Sequence, residues 1–213
     1  MSHFRLLAPA ALLLIAGGCA EKGELDASGG VSAVRSACPS VGVPAGTGDV
    51  TLFDPATART ADAIDVTALM TNVRSTCDSG DAQVNTTVTF EVDARRRDTA
   101  AARDVTLPFF ISVVQGGNAV VAKRVSRVAV HFDAGAARAR ATGSATASVD
   151  RAAATLPDDV RKTLTRKRKA GEEDAAIDPL SRPEVRQAVL RATFEALVGF
   201  QLTEDQLRYN ATR

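Results

Sequence analysis

The sequence predicts a mainly β protein: an antiparallel β-sandwich of immunoglobulin or fibronectin-III type with a C-terminal helical extension. Between residues 35 and 150, apolar and polar residues alternate with a period of two, and turn-forming clusters interrupt the alternation. After residue 150, apolar residues recur every three or four positions, which is the period of an amphipathic helix. Repeated antiparallel strands at this spacing are typical of a two-sheet sandwich.

The chain begins with the pattern of a secretory signal. Arg5 supplies a positive charge, and an apolar run follows over residues 6–16 before a group of small residues. A run of this length does not span about 30 Å of hydrocarbon as a helix, and Pro9 interrupts it. We therefore expect cleavage of this segment rather than a permanent membrane helix.

Residues 16–19, Ala-Gly-Gly-Cys, resemble the lipobox of bacterial lipoproteins. The resemblance covers only residues 1–19 and departs from the family at Ala16, where Leu is usual. It implies that residues 1–18 are a signal peptide and that the acylated Cys19 anchors the chain in a lipid bilayer. Ala20 rather than Asp follows the cysteine, and in this family that favours the outer membrane, with the protein facing the periplasm. The alternative is an ordinary signal peptide with an incidental cysteine.

The composition favours an aliphatic core and gives no reason to expect nucleic acid as a partner. Hydrophobic residues make up 45% of the chain, whereas aromatic residues make up 4% and Trp is absent. The formal net charge of +1 provides no global attraction to a polyanion.

The cysteine count predicts one disulfide. With Cys19 assigned to the lipid, Cys38 and Cys77 remain, and an oxidising periplasm favours a bond between them. A loop of about 39 residues closed in this way adds about 3–4.5 kcal/mol of stability. A redox or metal-binding pair is the alternative, but neither cysteine lies in a C-x-x-C motif and no His is near either one.

The sequence after the signal segment predicts a flexible tether followed by strands. Residues 19–34 are small and polar without periodicity, as in a flexible linker, and residues 35–150 form the predicted sandwich domain. Strands over 63–76 and 84–92 flank a turn at 78–81, so they form a hairpin with one face in the core. Residues 95–98 then begin a polar loop in the prediction. The alternative is that the three arginines at 95–97 bind an anionic headgroup.

A second hairpin follows in the sequence. Residues 105–114 and 120–132 flank the turn Gln115-Gly116-Gly117-Asn118, and Pro108 suggests an edge position or a bulge. Residues 137–149 alternate with a face of almost only Ala and Gly. We expect that face to pack closely against bulky residues of the facing sheet.

Residues 151–213 read as helices packed on the sandwich. A first helix carries a stripe of apolar residues four apart, with Pro157 in its first turn and Gly171 at its end. Ser181 and Glu184 fit a capping box that opens a second helix, which we expect to continue to Gly199. Thr203 and Gln206 fit a capping box for a third, with Leu202 and Leu207 as a hydrophobic staple.

The sequence carries little catalytic chemistry. His3 leaves with the signal, which leaves His131 on a predicted strand, and no His, Cys and Asp cluster has metal-ligand spacing. No cofactor motif is present, because the Gly46-Thr47-Gly48 loop lacks the Lys-Ser/Thr of a phosphate loop. The densest group of charges in the sequence is a basic run near the end of the first predicted helix. It either contacts an anionic surface or is a solvated helix end. The run consists of Arg161, Lys162, Arg166, Lys167, Arg168 and Lys169.

These observations favour a non-enzymatic lipoprotein that binds other components of the cell envelope, with an envelope protein as its partner. A small-ligand carrier with a pocket between the sandwich and the helices is the first alternative. The second is a hydrolase that uses His131.

Overall fold

The structure, a computed structural model, describes residues 36–166 and 177–212. Their strands form two four-stranded sheets with a shared core, so the predicted β-sandwich with C-terminal helices is confirmed. All strand pairs are antiparallel except β1 with β8. The first sheet has the order β1-β8-β5-β6 and contains β1 (Ser40–Gly42), β5 (Arg103–Gln115), β6 (Ala119–Phe132) and β8 (Phe194–Phe200). The second has the order β2-β3-β4-β7 and contains β2 (Asp49–Phe53), β3 (Ile64–Ser79), β4 (Gln83–Arg96) and β7 (Arg138–Asp150).

The strand order follows from local hairpins. β2, β3 and β4 are neighbours both in the chain and in the second sheet, and β5 and β6 are neighbours in the first. In an immunoglobulin constant domain, by contrast, strands A, B, E and D share one sheet and C, F and G share the other. The sandwich architecture is thus common to both, and the connectivity of this chain is different.

The β3–β4 hairpin forms as the alternation predicts. The inward side chains of β4 are at most 1% exposed at five successive alternate positions: Val84, Thr86, Val88, Phe90 and Val92. Burial of apolar surface at about 25 cal/mol per Å² makes this face the principal contribution of β4 to stability.

The small-residue face of β7 packs against its neighbouring strand. Gly143 lies opposite Phe90 of β4, and a Cβ on Gly143 would collide with the Phe90 ring. Phe90 in turn contacts Phe109 of the facing sheet, with ring centroids 4.9 Å apart. The expectation that the facing sheet supplies the bulky partner is therefore wrong for Gly143, because the cross-strand ring already fills that space.

Pro108 lies inside the first sheet rather than on an edge strand. β5 is paired with β6 on one side and with β8 on the other, but pairing with β8 begins only at Phe109. Because proline has no backbone N–H to donate, it is tolerated at a position where β5 is paired with a strand on one side only. The bulge lies instead at Val113 and Val114. The predicted hairpin turn is confirmed, with positive φ at Gly116 and Gly117.

The second predicted helix is wrong in its C-terminal half. The helix α2 (Pro183–Arg191) ends before Thr193, and residues 194–200 form strand β8 in the interior of the first sheet. Phe194, Ala196, Val198 and Phe200 alternate and are at most 7% exposed, so pairing with β5 overrides the helical pattern. The sandwich therefore includes chain well beyond residue 150, which the predicted boundary excluded.

The predicted Ser181 capping box does not form. Residue 182 precedes α2 without a side-chain cap, and Ser181 lies in a 3₁₀ turn over Pro179–Ser181. Its hydroxyl donates to the Asp178 carbonyl at 2.7 Å, while the Asp178 carboxylate accepts from the Leu180 N–H at 2.9 Å. Ser181 is thus occupied within the preceding turn.

The three α-helices of the described residues pack in two places. The helix α1 (Asp158–Thr165) packs against α2 through a small cluster that includes Val160, Val185 and Val189, separate from the main core. It ends at Thr165 because residue 166 is extended, and the expected end at Gly171 lies outside the described residues.

The helix α3 (Glu204–Thr212) lies on β2. Its capping box is confirmed: Gln206 N–H donates to Thr203 Oγ1 at 3.3 Å, and Thr203 N–H donates to Gln206 Oε1 at 2.9 Å. The rings of Tyr209 and Phe53 meet edge to face, with centroids 5.1 Å apart. Of the helices, α3 therefore packs on the sandwich as expected, whereas α1 and α2 build a second, smaller core.

Candidate functional site

The predicted disulfide is present. Cys38 precedes β1 and Cys77 lies on β3, and their sulfur atoms are bonded with the Cα atoms 6.1 Å apart. The bond joins the segment just before β1, an edge strand of the first sheet, to β3 of the second sheet. Cys19 and the tether lie outside the described residues.

An open cleft of about 930 Å³ crosses the outer face of the second sheet. All of its lining residues belong to β2, β3, β4 and β7, so the helices take no part in it. The strand register arranges its outward residues in two rows across the sheet. One row is Asp49, Leu69, Asp93 and Arg140, and the next is Thr51, Thr67, Arg95 and Arg138.

The first row is electrostatically balanced at its β4–β7 end. Arg140 Nε donates to Asp93 Oδ1 at 2.7 Å, and Arg140 Nη1 lies 3.6 Å from Glu91 Oε2. The hydrogen bond from Arg140 lowers the pKa of Asp93, and Thr71 Oγ1 donates to the same carboxylate at 3.2 Å. Arg140 is therefore committed to carboxylates of its own sheet.

The second row places two arginines side by side. Arg95 on β4 lies directly opposite Arg138 on β7, and both side chains are exposed. No described carboxylate lies within 4.0 Å of either guanidinium. Like charges directly opposite one another across two strands are destabilising. This pair is thus a concentration of positive charge without a direct ion-pair partner among the described residues, in a cleft that Asp49 and Asp93 also line.

The arrangement suits an anion that lies between the two arginines. A guanidinium presents planar donors that match a carboxylate or a phosphate, often in bidentate geometry. Thr67 adjoins Arg95 in the same row, and Leu69, which is 52% exposed, gives the cleft an apolar patch. The cleft can therefore hold a group with an anionic head and an apolar portion.

The Arg95-Arg96-Arg97 run separates into different roles. It does not begin a loop, because β4 continues to Arg96. Arg96 is 6% exposed and donates to the carbonyls of Ala101 (2.6 Å), Asp133 (2.7 Å) and Ala136 (2.8 Å). Arg96 is thus a buried structural residue, whereas Arg95 points into the cleft.

His131 lies on the exposed outer face of β6, between two carboxylates. Nδ1 lies 2.7 Å from Asp104 Oδ1, Nε2 lies 3.4 Å from Asp133 Oδ1, and the side chain is 59% exposed. The hydrogen bond with Asp104 raises the pKa of His131. A hydrolase would need one ring nitrogen to activate a hydroxyl or thiol nucleophile. Because both nitrogens face carboxylates, this geometry does not favour that role.

The basic run is only partly described. Arg161 Nη2 donates to Asp158 Oδ1 at 2.6 Å within α1, and Lys162 and Arg166 are exposed. Lys167, Lys169 and the residue between them lie outside the described residues. The described part therefore includes a neutralised arginine, and contact with an anionic surface stays a prediction.

Two further kinds of site are not found in residues 36–166 and 177–212. No three His, Cys, Asp or Glu side chains there are grouped so as to hold a metal ion. None of the helices there combines the length and apolarity needed to cross a bilayer.

No protein-family model, curated protein or solved structure matches this chain.

The arginine pair could not be identified from the sequence. Arg95 belongs to an Arg run and Arg138 to a strand 43 residues later, and only the β4–β7 register makes them neighbours. The available signal was that Arg138 and Arg140 occupy alternate, outward positions of a strand.

Proposed function

We propose that the protein is a lipid-anchored, non-enzymatic binding component of the bacterial cell envelope, held at the outer membrane and facing the periplasm. The lipobox-like residues 16–19 support an anchor at Cys19, and Ala20 supports the outer membrane. The Cys38–Cys77 disulfide is consistent with an oxidising compartment.

The observation that carries the binding role is the Arg95–Arg138 pair in the cleft. Like charges on directly opposite residues are destabilising, and an anion bound between the two guanidinium groups would relieve that repulsion. The proposed ligand group is therefore a carboxylate or a phosphate borne by an envelope component, with an apolar portion against Leu69.

Anion titration of the full acylated chain in detergent tests this role. We expect inorganic phosphate and acetate to shift the side-chain Nε–H NMR signals of Arg95 and Arg138, because each anion takes hydrogen bonds from these groups. The stronger of the two responses identifies the preferred anion. The variant Arg95→Gln/Arg138→Gln should weaken binding at least tenfold, because each charge-assisted hydrogen bond contributes about 1.5–3 kcal/mol.

A matched control separates the pair from general positive charge. Arg182→Gln/Arg186→Gln removes the same charge from exposed positions at α2 and should leave the anion affinity unchanged. Equal loss in both double variants, or no response of Arg95 and Arg138 to either anion, would count against the cleft as the binding site.

The anchor has its own test. The intact mass of the mature chain from a bacterial host should correspond to residues 19–213 plus fatty acid on Cys19, with one disulfide. A mature chain without fatty acid, or one with three free thiols, contradicts the proposed anchoring.

The cleft also favours a second candidate function, the carriage of a small anionic ligand. Its volume of about 930 Å³ lies within the range of about 300–1,000 Å³ that is typical of small-molecule sites. Its position on the strands differs from the expected pocket between sandwich and helices. Native mass spectrometry of protein purified from membranes should then show a bound small acid that Arg95→Gln/Arg138→Gln releases.

A further inference from the structure

β6 is the outermost strand of the first sheet, and its two halves differ in burial. In the C-terminal half, Val128, Val130 and Phe132 are at most 5% exposed and alternate with exposed residues. In the N-terminal half, residues 119–127 are exposed at every position, including Val120 (63%) and Val125 (52%). These nine residues extend over about 30 Å of strand. Both faces of this half are therefore accessible.

The backbone of this half is paired on one side only. Its ladder with β5 runs from Ala119 to Arg127, and no strand among residues 36–166 and 177–212 pairs with the other side of β6. No further backbone hydrogen bond from the described residues reaches positions 119–127. In an antiparallel strand, about every second residue directs its N–H and C=O groups away from its partner. Such an edge is a template for another strand.

The edge is strongly basic. Lys123, Arg124 and Arg127 lie in it, and the sequence contains no acidic residue from position 119 to position 130. Within the described part of the chain, no carboxylate lies within 4.0 Å of these three cations. Lys123 Nζ lies 4.7 Å from the centroid of the Phe110 ring, so its charge is held above the sheet.

This charge disfavours a second copy of the chain as the occupant. If two β6 strands paired antiparallel about Val125, Lys123 of one would lie opposite Arg127 of the other at both ends of the ladder. Like charges directly opposite across strands are destabilising. A strand with carboxylates at these positions would instead place an acid beside each cation.

We infer that residues 119–127 of β6 bind an extended acidic segment of an envelope protein, which joins the first sheet as an additional strand. The backbone groups of β6 provide the hydrogen bonds, and alternate side chains provide the selection. Acidic side chains on one face of the partner strand lie beside Lys123 and Arg127, which share the outer face of the first sheet, and apolar side chains on its other face lie beside Ala122 and Ser126. The inference takes the compartment from the proposed function and does not use the cleft.

Peptide binding to the full acylated chain in detergent tests the inference. The probes are a twelve-residue peptide that alternates Glu with Val and one that alternates Lys with Val, both followed by fluorescence anisotropy. We expect the Glu-Val peptide to bind and the Lys-Val peptide not to bind. In Lys123→Glu/Arg127→Glu, which reverses the two cations on the outer face, affinity for the Glu-Val peptide should fall at least tenfold, and the Lys-Val peptide should gain affinity.

Amide hydrogen exchange distinguishes strand addition from contact through side chains alone. Strand addition should slow exchange of alternate amides within residues 119–127, because these N–H groups then donate to the peptide. The matched control Arg182→Glu/Arg186→Glu makes the same charge change on exposed residues and should keep both the affinity and the protection.

Four results would overturn the inference. The first is no binding of the Glu-Val peptide, and the second is binding that does not slow amide exchange in residues 119–127. The third is peptide affinity that is unchanged in Lys123→Glu/Arg127→Glu. The fourth is slowed exchange of these amides without peptide that increases with protein concentration, which would identify a second copy as the occupant. Anion binding at Arg95 and Arg138 is measured separately, so failure here leaves the proposed function standing.

Discussion

Arg96 shows how one buried side chain secures two loops. Its guanidinium donates to carbonyls in residues 99–101 and 133–136, and its Cζ lies 5.1 Å from the centroid of the Phe132 ring. If an apolar side chain replaced Arg96, those buried carbonyl groups would have no hydrogen-bond donor.

We expect Arg96→Met to lower the free energy of unfolding by about 3 kcal/mol, because several buried acceptors lose their donor. Denaturant unfolding at pH 7 measures the change. The exposed neighbour provides the control, since Arg97→Met should stay within about 0.5 kcal/mol of the parent chain. Equal stability of the two variants would show that the contacts of Arg96 contribute nothing.

His131 is expected to titrate above the usual His pKa of about 6.5. Its hydrogen bond with Asp104 favours the protonated ring, and Asp133 adds to the effect. The stabilisation is therefore fully present below about pH 6.5 and is lost as pH rises through the raised pKa. NMR titration of the ring should show this pKa falling in Asp104→Asn, and an unchanged value would refute the assignment.

At the scale of elements, an ion pair joins the two sheets. Arg103 at the start of β5 donates to both carboxylate oxygens of Asp65 on β3, at 2.9 and 2.6 Å. The hydrogen bond from Arg103 lowers the pKa of Asp65, whose side chain is 16% exposed.

Asp65→Asn should therefore lower stability at pH 7 by about 1 kcal/mol, since a partly exposed pair contributes little more than that. Because the folded pKa is depressed, this difference is present above about pH 4 and is lost as pH falls through the folded pKa. Denaturant unfolding of both chains from pH 7 to pH 3 measures it. A difference that grows with falling pH would contradict the ion pair as its source.

Elements were predictable where the pattern was local and unambiguous. The β3–β4 and β5–β6 hairpins follow from alternation and turn residues that lie next to each other in the chain. Residues 185–200 carry two patterns, because Val185, Ala188 and Val189 share a helical face while Phe194, Val198 and Phe200 alternate. Pairing with β5, about 85 residues earlier, selects the strand, and that contact is not visible locally.

The candidate sites depend on the same distant contacts. Cys38 and Cys77 could be paired by counting cysteines, which requires no register. The Arg95–Arg138 pair and the open edge of β6 require knowledge of which strands are neighbours and which strand is last in its sheet. Side-chain chemistry was therefore visible in the sequence, while its grouping was not.

For the whole molecule, the disulfide should contribute about 3–4.5 kcal/mol through the entropy of the unfolded chain. We expect Cys38→Ser/Cys77→Ser to lose this amount in denaturant unfolding while it keeps the strand content by circular dichroism. The parent chain under reducing conditions should show the same loss. A loss below about 1 kcal/mol in both would mean that the native state is strained by the bond or that the unfolded chain is already compact.

The place of that bond also determines how the body responds to tension from its N-terminal side. β1 has only three residues, and its pairing with β8 would be peeled open early by a pull applied before residue 38. Cys38 lies between that pull and β1, so the force passes through the sulfur atoms into β3. The 16-residue strand β3, which is hydrogen-bonded to β4 along its length, then carries the force in place of β1. Tension from the anchor proposed at Cys19 would therefore enter the body through the β3–β4 hairpin.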